Sequence, residues 1–309
     1  MLNNKMHKFT HLPLLQSMRI GIVCMVLGTG LAACQSAGYQ KTPGGISYKI
    51  IEKHNGPKPQ VGDYLKLQIT TSVGDTVLMD THKMGGPTRV QLQKPQGRFD
   101  IMEALALLSP GDSAIFLIPA DSVIPDISRF PYIKKGDNLK IAVKLLAVQN
   151  FQQMQEDLQK EHAAQLEKDE KIIEDYLNKN HLTASKTPGG VYIVVHQEGK
   201  GPVPQAGDQV QINYTGRSLD GKPFDSNVDT SFQIVHHPLE PFIFTIGQGQ
   251  VLKGMDEAIM QMKEGTKATI YIPSGLGYGP AGQPPVIEPN EILAFDIDLL
   301  KVKPASKAK

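Results

Sequence analysis

The sequence predicts an α+β chain in which one domain type occurs twice, each copy an antiparallel sheet packed on one short helix, with a long helix between them. Three observations carry that expectation. Lys41-Thr42-Pro43-Gly44-Gly45 returns as Lys186-Thr187-Pro188-Gly189-Gly190, and Val61-Gly62-Asp63 returns as Ala206-Gly207-Asp208 at the same offset of 145. Pro110-Gly111 and Pro119 answer Glu264-Gly265 and Pro273 at an offset of 154, so the second copy carries nine extra residues in its middle. A period this long marks two tandem domains rather than a solenoid. Both copies contain segments that alternate apolar and polar residues, and the stretch between them has no Gly or Pro.

At the N-terminus, Ile20 to Leu31 is an uncharged apolar run of 12 residues preceded by Arg19. That is too short to cross a bilayer and suits a signal-peptide core. Leu31-Ala32-Ala33-Cys34, followed by the polar Gln35-Ser36, resembles a bacterial lipobox, whose cysteine is diacylated and becomes the new N-terminus. An ordinary signal peptide with a chance cysteine is the alternative. On the lipoprotein reading, residues 1–33 are the signal peptide, 34–40 a tether, and the membrane is reached through lipidated Cys34. Cys24 leaves with the signal, and the mature chain of 276 residues (309 − 33) has no free thiol, as suits an oxidising compartment. Gln35 and Ser36 are not Asp, which the usual sorting rule reads as outer membrane, here facing the periplasm. The length of residues 1–17 leaves Met18 open as the true start.

The first copy, 41–150, has a strand over Leu139 to Leu145 with perfect alternation and a helix face in Ile101, Leu105 and Leu108. The linker follows at 151–182. Of the 31 residues from Phe151 to His181, 12 are Asp, Glu or Lys, and Phe151, Met154, Leu158, Leu166, Ile172, Ile173 and Leu177 fall near helical spacing. The stripe is sparse and interrupted by His162 and Asp169, which favours a solvated helix with no partner over a coiled coil. In the second copy, 183–303, Val210, Ile212 and Tyr214 alternate with polar residues, as do Ala268, Ile270 and Ile272, and Leu293, Phe295, Ile297 and Leu299. Such patterns predict an antiparallel sheet wetted on one side. Asp220-Gly221 marks a turn. One helix is evident, Leu252 to Lys263, with Met255, Ala258, Ile259 and Met262 on one face. Residues 304–309 form a tail.

Composition narrows the chemistry. Lys+Arg 32 against Asp+Glu 31 leaves a net charge of +1, so nothing in the bulk charge points to nucleic acid. Two cysteines exclude a disulfide scaffold or a multi-cysteine zinc module. Gly247-x-Gly249 precedes the helix, but the sixth position of a dinucleotide fingerprint is Leu252. No P-loop, H-E-x-x-H or G-x-S-x-G occurs. His236-His237 is the only histidine pair, and adjacent side chains on an extended segment point apart. No cofactor and no metal are therefore expected.

What remains is a constellation of aromatics: Asn213-Tyr214-Thr215-Gly216, Phe224-Asp225-Ser226, Pro241-Phe242-Ile243-Phe244, Gln250-Val251-Leu252-Lys253-Gly254-Met255, Leu276-Gly277-Tyr278-Gly279, and Phe295. With these motifs the second copy resembles the FKBP-type peptidyl-prolyl isomerases along its whole length. The resemblance implies a twisted antiparallel sheet wrapped on one short helix, in agreement with the pattern above. It also implies a pocket of Tyr214, Phe224, Asp225, Phe242, Phe244, Val251, Leu252, Tyr278, Ile287 and Phe295. Met255 stands at the floor position, often Trp in the family, and Gln283 at a tip position that is often His. The segment from Asn227 to Glu240 is longer than in the smallest members and is a candidate for specificity. Any one of Phe224, Phe244 and Phe295 taken alone reads as core packing. Asp225 beside Phe224 needs a partner or water, and the family's arrangement supplies the Tyr214 hydroxyl. Five Pro and four Gly between Pro273 and Pro289 make a long shaped loop of a kind that usually carries function.

The family's activity requires no nucleophile or metal, since isomerisation breaks no bond. The resemblance implies proline-containing polypeptide clients and binding of macrolide inhibitors at the second domain. The first copy retains the scaffold pattern with Ile69 in place of Tyr214, Met79 of Phe224, Ile101 of Met255, Ile124 of Tyr278 and Ile141 of Phe295, with Asp80 left opposite Asp225. Its middle segment, which should bear the counterparts of Phe242 and Phe244, is shortened. It reads as a degenerate FKBP-like domain, for client binding, spacing from the membrane or self-association. Two functions stay open: a membrane-anchored prolyl isomerase assisting the folding of exported proteins, and a non-catalytic lipoprotein chaperone or scaffold that uses the same groove.

Overall fold

A computed structural model describes residues 38–229 and 239–305. Cys34 with the signal peptide, the His236-His237 pair, most of the long 227–240 segment and the end of the tail lie outside the described residues. The first half contains β1 (Gln40–Lys41), β2 (Ser47–Glu52), β3 (Tyr64–Val73), β4 (Thr76–Asp80), β5 (Thr88–Gln91), α1 (Ile101–Leu105), β6 (Ser113–Pro119), α2 (Ala120–Val123) and β7 (Asn138–Gln149). The helix α3 (Phe151–Lys179) follows. The second half contains β8 (Ser185–Lys186), β9 (Tyr192–Gln197), β10 (Gln209–Ser218), β11 (Pro223–Ser226), β12 (Phe242–Thr245), α4 (Lys253–Ile259), β13 (Lys267–Ile272) and β14 (Leu293–Lys303). The architecture is α+β, two antiparallel sheets with few helices.

The strand orders are β4-β3-β7-β6-β2-β1, with β5 also on β3, and β11-β10-β14-β13-β9-β8, with β12 also on β10. The two orders are the same. In the second sheet the alternating residues Val210, Ile212, Ile270, Leu293, Phe295 and Ile297 face α4 and form one core with Met255, Ala258 and Ile259. The helix can approach because residue 254 is glycine: a Cβ there would collide with Ile272 of β13. Asp220-Gly221 turns the chain between β10 and β11, with Gly221 at φ 90° and its N–H bonded to the Ser218 carbonyl. The helix expected over Leu252 to Lys263 is shorter. After Ile259 the bonds tighten to Gln261 N–H on Ala258 and Met262 N–H on Ile259, three residues back, before Gly265 at φ 92° ends the turn.

The linker helix departs most from expectation. Asn150 caps it through a reciprocal bond pair with Gln153, each 2.9 Å, a capping box legible as N-x-x-Q. It is not a solvated helix without partners. Near its start the Phe151 ring lies 6.0 Å from Tyr64, and Asp157 and Glu161 receive Lys66 and Arg89 from the outer face of the first sheet at 2.6–2.8 Å. Near its end Ile173 and Leu177 are buried against Tyr192, Val194, Tyr271, Ile292 and Ala294. The second sheet is therefore covered on both faces there: α4 on one side, α3 on the other. Tyr271, on the face expected to meet water, is buried there against Tyr176 of α3, and Thr269 on the same face is buried with its hydroxyl bonded to His196 and Asp296. Asp169, which broke the apolar stripe, is itself buried at 1% exposure.

Candidate active site

The site forms where β10, β11, β12, the start of α4, the loop after β13 and β14 converge. On β10, Gly216 pairs with Phe295 of β14 on one side and Asp225 of β11 on the other. A Cβ on Gly216 would lie 2.6 Å from the Phe295 ring and 2.8 Å from Phe224, so only glycine lets both rings close over the strand. The two rings meet edge to face at 5.5 Å and 87°. Tyr214 sits 6.2 Å from Phe295 and 6.1 Å from Phe242, and Phe242 stacks on Phe244 at 5.4 Å. Such tilted and offset arrangements are the favoured ones between aromatic quadrupoles.

These rings wall a cleft of about 380 Å³, lined by Tyr214, Phe224, Asp225, Phe242, Gly249, Gln250, Val251, Leu252, Met255, Tyr278, Gln283 and Phe295. Of the eleven pocket and floor residues implied from sequence, nine line it, and Gln283 of the tip position lines it too. Phe244 and Ile287 do not. Both belong to the core behind the wall, Phe244 supporting Phe242 and Ile287 holding Gln283 through reciprocal backbone bonds of 2.9 and 3.0 Å. Met255 closes the floor from the first turn of α4, where Leu252 is the N-cap.

The Tyr214 hydroxyl donates to Asp225 Oδ2 at 2.8 Å. Burial pushes the Tyr214 phenol well above its ordinary range, and the bond to the carboxylate adds to the shift. Tyr278 is also raised, by burial first and by the charge of Asp225 second. The cleft thus holds one carboxylate and two protonated hydroxyls among the rings and aliphatic side chains, with Gln250 and Gln283 also in its lining.

Sequence reasoning passed over two positioning residues. Asn227 is buried, accepts from Tyr214 N–H at 2.7 Å, and donates to the carbonyls of Ile212 and Glu240 at 3.1 and 3.0 Å. It ties β10 to the segments on either side of the cleft. Gln250 accepts from Thr245 N–H at 2.8 Å and closes the turn holding Gly247 and Gly249, at φ 76° and 66°. A polar residue between that glycine turn and Val251 was the available signal.

In the first half, Ile69 and Ile141 occupy the register of Tyr214 and Phe295: Ile69 pairs with Val143 as Tyr214 does with Ile297, and Thr71 with Ile141 as Gly216 does with Phe295. Glu103 and Glu257 bind the equivalent Gly44 and Gly189 N–H groups, which sets Ile101 at the place of Met255. Ile124 packs beside Val73, Ala120 and Ile133. The expected match at β4 is corrected by one residue. Thr70 pairs with Asp80 and Thr71 with Met79, whereas Thr215 pairs with Ser226 and Gly216 with Asp225. Asp80 therefore stands at Ser226, Met79 at Asp225 and Leu78 at Phe224, since a one-residue slip moves every side chain to the other face. The counterpart strand of Phe242 and Phe244 is present as β5, carrying Thr88 and Val90. What is shortened is the stretch before it, residues 81–87 against 227–241.

Residues 201–300 match the family model described as FKBP-type peptidyl-prolyl cis-trans isomerase. A peptidyl-prolyl cis-trans isomerase of Schizosaccharomyces pombe is 41% identical over 114 residues, 37% of this chain and 95% of the relative. FK506-binding protein 1 of Rhizopus delemar is 41% identical over 114 residues, 37% of this chain and 98% of that protein. A solved peptidyl-prolyl cis-trans isomerase of Pseudomonas syringae pv. tomato aligns over 46% of this chain and 96% of its own length, at 27% identity and a TM-score of 0.37. The matched residues are those that build the cleft, and through them the chain belongs to the FKBP-type peptidyl-prolyl cis-trans isomerases.

Proposed function

We propose that this isomerase turns X–Pro amides of exported polypeptides in the cleft of its second half, held at the outer membrane on the periplasmic side by lipidated Cys34. The observation that carries the catalytic assignment is the ring-walled cleft with one hydrogen-bonded carboxylate at its edge. An X–Pro amide exchanges over a barrier of about 18–20 kcal/mol. At the barrier the amide is twisted, its resonance is lost and it is less dipolar. An apolar slot favours that state over the planar, solvated ground state. Lowering the barrier by about 5–8 kcal/mol gives roughly 10⁴–10⁶ in rate.

Phe224, Phe242, Val251, Met255 and Phe295 form the slot for the proline ring. The Leu252 N–H and the Tyr278 hydroxyl hold the flanking carbonyls. Asp225 acts electrostatically on the twisted amide and orients Tyr214. The same slot accommodates macrolide inhibitors of the kind named for the Rhizopus relative. The Leu31-Ala32-Ala33-Cys34 motif supports the anchor. The first half is a degenerate FKBP-like domain: it keeps the strand order and replaces the rings by Ile69, Leu78, Thr88 and Ile141. It serves clients or spacing rather than turnover.

The test is a proline-limited peptide assay on the full chain. The Phe224→Ala, Asp225→Ala double variant should lose nearly all activity while circular dichroism and thermal unfolding show a folded second half. Full activity in that folded variant would refute the site.

A further inference from the structure

The linker helix reaches the active-site loop through a buried carboxylate. Asp169 of α3 accepts from Ser274 N–H at 2.8 Å and from the Ser274 hydroxyl at 2.6 Å through one oxygen. Its other oxygen accepts from Gln165 Nε2 at 2.7 Å. Ser274 is fully buried and opens the short 3₁₀ turn Ser274–Leu276 that leads from β13 to Tyr278. The next residue, Gly275, lies so close to α3 that a Cβ there would sit 2.8 Å from the His162 ring. Tyr278, four residues past Ser274, lines the cleft. The acceptor that fixes the root of this loop thus comes from outside residues 201–300, the part matched by the family.

A carboxylate is kept in such a place only where donors satisfy it, and here three do. The loop between Pro273 and Pro289 is rich in Gly and Pro, and its root decides where the Tyr278 hydroxyl points. We propose that Asp169 is a positioning residue for the isomerase reaction: α3 braces the loop so that Tyr278 reaches the client's carbonyl. This rests on the reading of the cleft as the isomerase site. The helix is then part of the catalytic unit and not a spacer between two domains.

The experiment measures kcat and KM of the full chain for a proline peptide, with amide hydrogen exchange of Ser274–Tyr278 against β13 and β14. Asp169→Ala leaves the buried Ser274 donors unpaired and should lower kcat/KM about tenfold. Exchange should accelerate in the loop while β14 stays protected. Asp169→Asn still presents an oxygen to both Ser274 donors and should stay within about threefold of the parent. If Asp169 acts through Tyr278, the Asp169→Ala, Tyr278→Phe double variant loses no more than the worse single variant. Unchanged kcat/KM in Asp169→Ala, equal loss in Asp169→Ala and Asp169→Asn, or fully additive loss in the double variant would each overturn the proposal. Should Asp169→Ala not fold, Ser274→Ala removes only the hydroxyl bond and carries the same test: a loss of kcat/KM that is non-additive with Tyr278→Phe supports it, and no loss overturns it. Activity untouched by Tyr278→Phe and by the Phe224→Ala, Asp225→Ala pair would instead sink the site assignment itself.

Discussion

Tyr214 and Tyr278 present two hydroxyls to one cleft, and burial holds both above the ordinary phenol range. A raised phenol keeps its proton, and with it the ability to donate. Its contribution is complete below the unfolded value near pH 10 and is lost as pH rises through the folded value. Activity should therefore show no loss from deprotonation of these tyrosines between about pH 7 and pH 9.5, checked by a kcat/KM profile. A falling limb in that range that disappears in Tyr278→Phe would contradict the assignment. Tyr278→Phe at pH 7.5 should lower kcat/KM by roughly tenfold or less, since it removes one hydrogen bond of about 1 kcal/mol. Its melting temperature should stay near that of the parent, because the ring remains while only the hydroxyl is lost.

The helix α3 decides how the second half should be cut from the chain. Ile173 is fully buried and Leu177 nearly so, against a patch of Tyr192, Val194, Tyr271, Ile292 and Ala294. A fragment starting at 183 exposes that patch. Burying an Ile or Leu side chain contributes about 1.5–3 kcal/mol, and Asp169 adds its bonds to Ser274. A 183–309 fragment should therefore melt roughly 10 °C or more below a 151–309 fragment and self-associate through the bared face. Differential scanning calorimetry of the two would decide it, and equal melting temperatures would show that the helix contributes nothing to the stability of that half.

Over the whole molecule the two sheets share a strand order and differ in the side chains they carry. The first has its own core, with Ile46, Leu65, Leu67, Phe116 and Leu145 fully buried, so fragment 41–150 should fold. It should show no prolyl isomerase activity, because Ile, Leu and Thr replace the flat faces of Tyr214, Phe224, Phe242 and Phe295 and no carboxylate stands at the Asp225 position. A rate near that of the full chain would overturn the division into a catalytic and a non-catalytic half. Replacing Cys34 by Ser should release the protein from membranes, since stable anchoring takes two chains buried at about 0.8 kcal/mol per CH₂. Unchanged detergent partitioning of the variant would remove the lipoprotein reading.

Strand faces, the Asp220-Gly221 turn and the ring motifs were legible in the sequence, because period-two alternation and turn chemistry are local and each residue carries its own signal. The cleft candidates come from the resemblance that those motifs carry, and nine of the eleven line the cleft. Local pattern does not say what covers the far side of a sheet. Tyr271 faces α3 across the sheet, and Asp169 on α3 faces Ser274, and neither contact is written in the local alternation. Nor does spacing resolve a one-residue register: the repeat offset sets Asp80 opposite Asp225, whereas its pairing with Thr70 sets it at Ser226. Phe242 and Phe244 are indistinguishable in sequence, yet one walls the cleft and the other lies in the core: β12 sets Phe242 opposite Ile212, two residues from Tyr214, and Phe244 opposite Val210. The sequence by itself determined the fold class, the repeated scaffold and the chemical character of the cleft. The tertiary structure decided which polar groups meet, because a hydrogen bond between Asp169 and Ser274, 105 residues apart, is set by packing and not by any local preference.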